Sequence, residues 1–295
     1  MGIVVVTGTS TGIGQATAIT LARAGHTVLA GMRNLDRGGE LREIASKEKL
    51  PINIVQLDID SDNSVEDAFK QILSEKGQID VLVNNAGIGA RGYIEEAPIA
   101  AFRQVMETNF FGGLRCIKAV VPSMRERKSG CIINITSVAG QFAMPPQGPY
   151  AASKWAFEGL SECLAQELSP FNVRVAIVEP GVIATPLTTT PRPAPPASPY
   201  SMHGRRMGAL FAASLSNPTS PFEVAKTIQD IVEGKSTKLR NPSGADGALL
   251  INWRKNKTDE EWVNLGAASD AEWAADVSKN LGTDVKLPQA KTPAL

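Results

Sequence analysis

Histidine and cysteine are scarce in this 295-residue chain, with only His26, His203, Cys116, Cys131 and Cys163. No two cysteines have CxxC spacing, and the histidines join them at no interval that a zinc site uses. A metal is therefore not expected, and a reducing compartment fits such thiols best. Charge excess is missing too: thirty Lys and Arg balance thirty Asp and Glu. Without a basic surplus, a nucleic-acid partner is not expected. No apolar run approaches the roughly 18 residues of a spanning helix, and no internal repeat is found. A strand-like run starts at Ile3, which leaves no room for a signal peptide. The expectation is a cytoplasmic protein with neither a membrane nor a nucleic-acid partner.

What the chain has is alternation. Ile3–Val6, Thr27–Ala30, Ile52–Leu57, Val81–Val83, Cys131–Ile135 and Val173–Val178 read as strands apolar on both faces, as in a covered parallel sheet. Helical patterns lie between them at Gly14–Ala24, Glu40–Lys49, Ser64–Lys76, Ala100–Val121 and Tyr150–Leu168. Gly25 and Gly77 fall just past two of these, where a left-handed residue ends a helix. This rhythm predicts a Rossmann-type, doubly wound parallel sheet in three α/β/α layers, as one domain over 1–295. Residues 1–185 are expected to form its core. From 186 to 221 the chain is rich in Pro, Ser, Thr and Ala, and TPRPAPPASP suits neither a central strand nor a helix interior. That stretch reads as a substrate lid, with a short helix over Met202–Ser214. Residues 222–295 read as a helical C-terminal part, with helices over Phe222–Val232, Asp259–Leu265 and Asp270–Asn280 and a frayed end.

Two short stretches carry chemistry. In VVVTGTSTGIGQATA, Gly8, Gly12 and Gly14 join a strand to a helix start. Glycines there let the backbone turn sharply and approach a pyrophosphate at the helix N-terminus. A turn that needs glycine only for positive φ is the plainer reading. In GPYAASKW, Tyr150 and Lys154 stand four apart on one helix face, which any helix allows.

Together these stretches and four more resemble the short-chain dehydrogenase/reductase family. TGTSTGIG is similar to its cofactor loop, and NNAG at 84–87 to the motif after its fourth strand. Asn109 in METNFFG, Ser137 in INITSVAG, Tyr150 and Lys154 in YAASK, and EPGVIAT at 179–185 follow in the family's order. The resemblance covers about residues 3–186 and implies an NAD(P)-dependent oxidoreductase. Hydride would pass between nicotinamide and a carbonyl or secondary alcohol carbon. It implies Tyr150 as general acid/base, Lys154 as its tuning charge and ribose ligand, and Ser137 as donor to the substrate oxygen. Asn109 would hold a helix kink and a proton-relay water; an Asn capping a local distortion is the alternative. Thr185 would fix the carboxamide, and Asp58 would meet the adenine unless it is simply a helix-start acid beside Asp60 and Asp62. The cofactor-binding set implied is Gly8, Ser10, Thr11, Gly12, Ile13, Gly14, Arg33, Asp58, Ile59, Asn85, Ala86, Gly87, Tyr150, Lys154, Pro180, Gly181, Ile183 and Thr185.

Arg33 ends the second strand where NAD enzymes carry an acid, so NADP(H) is expected, its 2′-phosphate meeting the guanidinium. NAD(H) stays possible if Asp36 reaches the ribose instead. Phe142, Met144, Met202, Phe211 and Leu215 make the expected substrate segments apolar, which points to a lipophilic carbonyl or alcohol or else to ordinary packing. Residues 130–188 are especially similar to the steroid and retinol dehydrogenase branch. No VDGG-type final strand is found. A homodimer through the helices over Ala100–Val121 and Tyr150–Leu168, or a homotetramer, is expected. A dehydratase or epimerase built on the same site, and an NADPH-sensing binding protein, remain the alternatives.

Overall fold

A computed structural model describes residues 1–190 and 197–287. Six strands form where β-branched runs were expected. The first half runs β1 (Ile3–Thr7), α1 (Gly12–Arg23), β2 (Thr27–Met32), α2 (Gly39–Glu48), β3 (Ile52–Gln56), α3 (Asp62–Lys76) and β4 (Val81–Asn84). Then come α4 (Ile99–Met106), a π-helical stretch Glu107–Gly112, α5 (Gly113–Glu126), β5 (Gly130–Ile135), α6 (Gly148–Leu168) and β6 (Val173–Pro180). The remainder is α7 (Pro186–Thr189), α8 (Ser201–Ser216), α9 (Pro221–Val232), β7 (Arg240–Ser243), α10 (Gly247–Lys255), α11 (Asp259–Asn264) and α12 (Asp270–Leu281). Gly25 and Gly77 take φ of 89° and 78° past the ends of α1 and α3, as expected.

The strands pair in parallel in the order β3-β2-β1-β4-β5-β6-β7. The order reverses between β1 and β4, the crevice where open α/β sheets bind ligands. Alternation along each strand feeds two cores. Val4 and Val6 of β1 pack with Ile19, Val224 and Ile228 under α1 and α9. Val5 faces the other way, with Phe69, Ile117, Met124 and Phe157 under α3, α5 and α6.

Three expectations are corrected. A final strand does exist: β7 pairs with β6 from Ile177↔Arg240 to Pro180↔Ser243. Its sequence, RNPS, has no β-branched residue; the neighbouring strand makes it a strand, and an edge position tolerates Pro242. The helix expected over Ala100–Val121 is interrupted by the π-helical stretch at Asn109. It also continues through Pro122 to Glu126 rather than stopping before the proline. The expected lid helix runs longer, as α8, while residues 191–196 of TPRPAPPASP lie outside the described residues.

A third apolar cluster ties the C-terminal helices to α8 and to the segment after β5, through Val138, Phe142, Met207, Leu250, Trp253 and Trp273. Arg206 of α8 is 2% exposed. Its guanidinium donates to Asp270 Oδ1 at 2.9 Å and to the carbonyls of Leu265, Gly266 and Ala268. Among the described residues no helix is long and apolar enough to cross a membrane.

Candidate active site

At the strand reversal a cleft of about 590 Å³ opens above the carboxyl ends of β1, β4, β5 and β6. Its floor starts at the glycine turn. Gly8 (φ 70°) has no room for a side chain, because a Cβ would lie 2.7 Å from the Ala86 Cα. The NNAG segment pins this turn: Asn85 Nδ2 donates to the carbonyls of Thr7 and Gly8 at 2.9 and 3.1 Å. Thr7 Oγ1 in return accepts the Asn85 and Ala86 N–H groups, each at 3.0 Å. Thr11 occupies the N-cap of α1 without a side-chain capping bond. The first-turn N–H groups of α1 are thus left to the cleft, and the helix dipole favours an anion there. This cradle suits the pyrophosphate of a nicotinamide dinucleotide.

Of the expected cofactor-binding residues, Gly8, Ser10, Thr11, Gly12, Ile13, Arg33, Asp58, Ile59, Asn85, Ala86 and Gly87 line the cleft. Tyr150, Lys154, Pro180, Gly181, Ile183 and Thr185 line it as well. Gly14 does not; it lies in the first turn of α1, packed against the Gly8 carbonyl and Asn85. Arg33 is largely exposed, 3.9 Å from Asp60. Asn34 and Arg37 stand beside it on the cleft wall, residues that sequence reasoning did not single out, whereas Asp36 is not among the lining residues. Asp58 precedes the Ser61 cap of α3 and accepts the Asp60 N–H at 3.2 Å, so it is not a first-turn acid.

At the other end Ser137, Tyr150 and Lys154 come together. Ser137 follows β5 and is buried; its hydroxyl accepts the Ala139 N–H at 3.1 Å and donates to the Pro180 carbonyl at 3.4 Å. Burial pushes the Tyr150 phenol up, and its bond with Ser137 pulls the other way. The Lys154 ammonium lies 5.7 Å from the centre of the Tyr150 ring and donates to the Ile135 carbonyl at 2.9 Å. Burial lowers Lys154 to about 8, with Glu158 opposing that shift. The lysine thus stands under the phenol ring, anchored to the end of β5.

Asn109 does not line the cleft. The π-helical stretch turns its amide toward the loop after β4, where it accepts the Ile88 N–H at 2.8 Å and donates to the Ile88 carbonyl at 3.0 Å. It also donates to Ser153 Oγ at 3.0 Å, and Ser153 donates to the Tyr150 carbonyl at 2.7 Å. The amide therefore couples two walls of the site through backbone groups.

Sequence reasoning missed the carboxylates behind this cluster. Glu158, one turn beyond Lys154, accepts from Thr136 at 2.5 Å and Arg240 at 3.0 Å. Burial, with the Glu158 charge adding to it, raises Glu179 to about 7. Arg240 sits on the unexpected strand, so no sequence signal linked it to Glu158.

The roof is apolar. Val138, Phe142, Met207, Leu210, Phe211 and Leu250 line the cleft. Of the five apolar residues expected around the substrate, Phe142 and Phe211 line the cleft; Met202 and Leu215 line neither of the two cavities described. Met144 and His203 line a second hollow of about 220 Å³ beside Trp262 and Trp273.

Comparison with known proteins agrees with this geometry. The uncharacterized oxidoreductase YusZ of Bacillus subtilis is 35% identical over 271 residues, 89% of this chain and 96% of that one. Retinol dehydrogenase 8 of Bos taurus is 43% identical over 187 residues; these are 62% of this chain and 59% of the relative, so under two thirds of its length is matched. Among solved structures, a short-chain dehydrogenase from Streptomyces avermitilis superposes with a TM-score of 0.77 at 30% identity, covering 94% and 97% of the two chains. A metagenomic short-chain oxidoreductase in complex with NADP gives 0.65 at 26% identity, covering 81% and 95%. The model of the short chain dehydrogenase family matches residues 2–195. With the glycine turn, strands β1 to β6 and the Ser137, Tyr150 and Lys154 cluster all inside that span, the chain belongs to the short chain dehydrogenase family.

Proposed function

We propose that this chain is an NADP(H)-dependent oxidoreductase that interconverts a lipophilic ketone or aldehyde and its alcohol, with Tyr150 as the general acid/base. The observation that carries this reading is the convergence of Ser137, Tyr150 and Lys154 on one cleft with the glycine turn. A nicotinamide nucleotide held at that turn supplies or takes up the hydride. In reduction Tyr150 gives its phenolic proton to the substrate oxygen, and in oxidation it takes that proton back. The Ser137 hydroxyl donates to the same oxygen and stabilises charge developing there. Lys154, charged below about pH 8, stabilises the phenolate by standing under the ring. Asn109 keeps the Tyr150 turn of α6 in register with the loop after β4.

The apolar roof supports a lipophilic substrate, as does the likeness to a retinol dehydrogenase. The wild-type protein is expected to consume NADPH with members of a panel of steroid, retinoid and small cyclic carbonyls, and faster with the apolar ones. NADPH binding without turnover on any member would overturn the reductase reading and favour a sensing protein or a non-redox reaction.

Arg33 and Arg37 at the far end of the cleft support NADP(H), two guanidiniums suiting a 2′-phosphate. Arg33→Asp is expected to weaken NADPH about tenfold or more relative to NADH, the scale of one lost charged hydrogen bond. Isothermal titration with both nucleotides reads this, and equal losses would remove Arg33 from the 2′ site.

A further inference from the structure

Asp246 occupies the N-cap of α10, the position where an aspartate normally accepts N–H groups of its own helix, yet its side chain makes no such bond. It is 9% exposed, and no basic side chain forms a salt bridge with it among the described residues. Instead its carboxylate oxygens accept the backbone N–H of Val182 at 3.1 and 3.3 Å. The approach is so close that a Cβ on Gly181 would lie 1.9 Å from Asp246 Oδ1. Burial pushes this carboxyl up, and the Val182 N–H and the nearby Ser214 hydroxyl of α8 pull it back.

Val182 lies in the segment after β6, which lines the cleft from Pro180 to Thr185. The Pro180 carbonyl at its start is the partner of the Ser137 hydroxyl. Two more backbone anchors of the segment come from behind as well. Gly181 donates to the Ser243 carbonyl at 3.0 Å, and Ala184 to the Thr219 carbonyl at 3.0 Å. Thr219 Oγ1 in turn accepts the Ala245 N–H at 3.1 Å. The turn from β7 into α10 thus forms a bracket under one wall of the cleft, and Asp246 is its only charged member.

We propose that Asp246 is a positioning residue: its carboxylate holds Val182, and through it the wall from Pro180 to Thr185, in the shape that receives the nicotinamide end of the cofactor. This rests on the proposed cofactor and adds a residue that makes no contact with it. The C-terminal part of the chain thereby sets cofactor affinity from outside the cleft.

The test compares Asp246→Ala, Asp246→Asn and, as a control for general loosening of the C-terminal helices, Thr258→Ala in the capping box of α11. NADPH affinity is read by fluorescence titration, and protection of the Val182 amide by hydrogen exchange. D246A is expected to weaken NADPH about tenfold or more, the scale of one lost charged hydrogen bond, and to expose the Val182 amide to exchange. D246N keeps an acceptor oxygen and is expected to recover most of both. T258A is expected to change neither. A folded D246A protein that binds NADPH within about twofold of wild type, or a T258A protein that loses as much, overturns the proposal. If wild type itself binds no NADPH, the proposed cofactor falls; the Val182 amide then decides alone, and unchanged protection in D246A overturns the positioning role.

Discussion

Tyr150→Phe is expected to cut carbonyl reduction by about a hundred- to ten-thousand-fold, the range that a positioned general acid contributes. The substitution removes one oxygen and leaves the ring over Lys154, so packing around α6 is retained. NADPH affinity and the melting temperature are therefore expected to stay close to wild type. Loss of turnover with intact binding separates the proton step from cofactor capture. The measurement is initial rate by nicotinamide absorbance, beside a titration of the same preparation. A variant retaining more than about a tenth of the wild-type rate would mean that another group carries the proton.

Gly14→Ala is expected to have the largest effect on binding. A Cβ there would lie 2.3 Å from the Gly8 carbonyl oxygen and 2.4 Å from Asn85 Nδ2. Neither can yield cheaply, because Asn85 Nδ2 is the donor that fixes both the Thr7 and Gly8 carbonyls. The turn must open, and with it the cradle at the start of α1. Overpacking of this kind costs about 1–3 kcal/mol, so a lower melting temperature should accompany a loss of NADPH affinity of about a hundredfold, two lost phosphate contacts' worth. Gly159→Ala on the exposed side of α6 is the contrast. Nothing lies within 4 Å of its Cβ position and its φ is ordinary, so it should stabilise by up to about 1 kcal/mol through helix propensity. Unchanged NADPH binding by G14A would show that the glycine turn does not hold the nucleotide.

The difference between these two glycines is also where sequence reading succeeds and stops. The turn was legible because its residues are consecutive: Gly8, Gly12 and Gly14 join a β-branched strand to a helix within one βα unit. Ser137, Tyr150 and Lys154 were legible for a related reason, lying just after β5 and on α6, neighbours in sequence and in space. The interrupted helix left a trace in Asn109, a poor helix former, although the fork of its amide on Ile88 depends on a loop 21 residues away. Strand β7 left none, since RNPS becomes a strand only through β6. Asp246 and Arg206 left no local signal either. Their burial comes from elements more than fifty residues distant, the segment after β6 and the loop before α12. Local chemistry is visible in a sequence when its partners are close; buried polar groups serving distant backbone are not.

The π-helical stretch has a consequence well beyond the amide that it aims. A residue accommodated in a wider turn advances the following helix by about 100° relative to an uninterrupted one. All of α5 inherits that rotation, including Cys116, Ile117, Val120 and Met124, which face the core. Excising one residue from Glu107–Gly112 would restore a regular helix and turn that apolar stripe away from the sheet. The angular phase of a main core helix is therefore set at the edge of the active site, so evolution could not straighten this helix without also repacking the layer behind it.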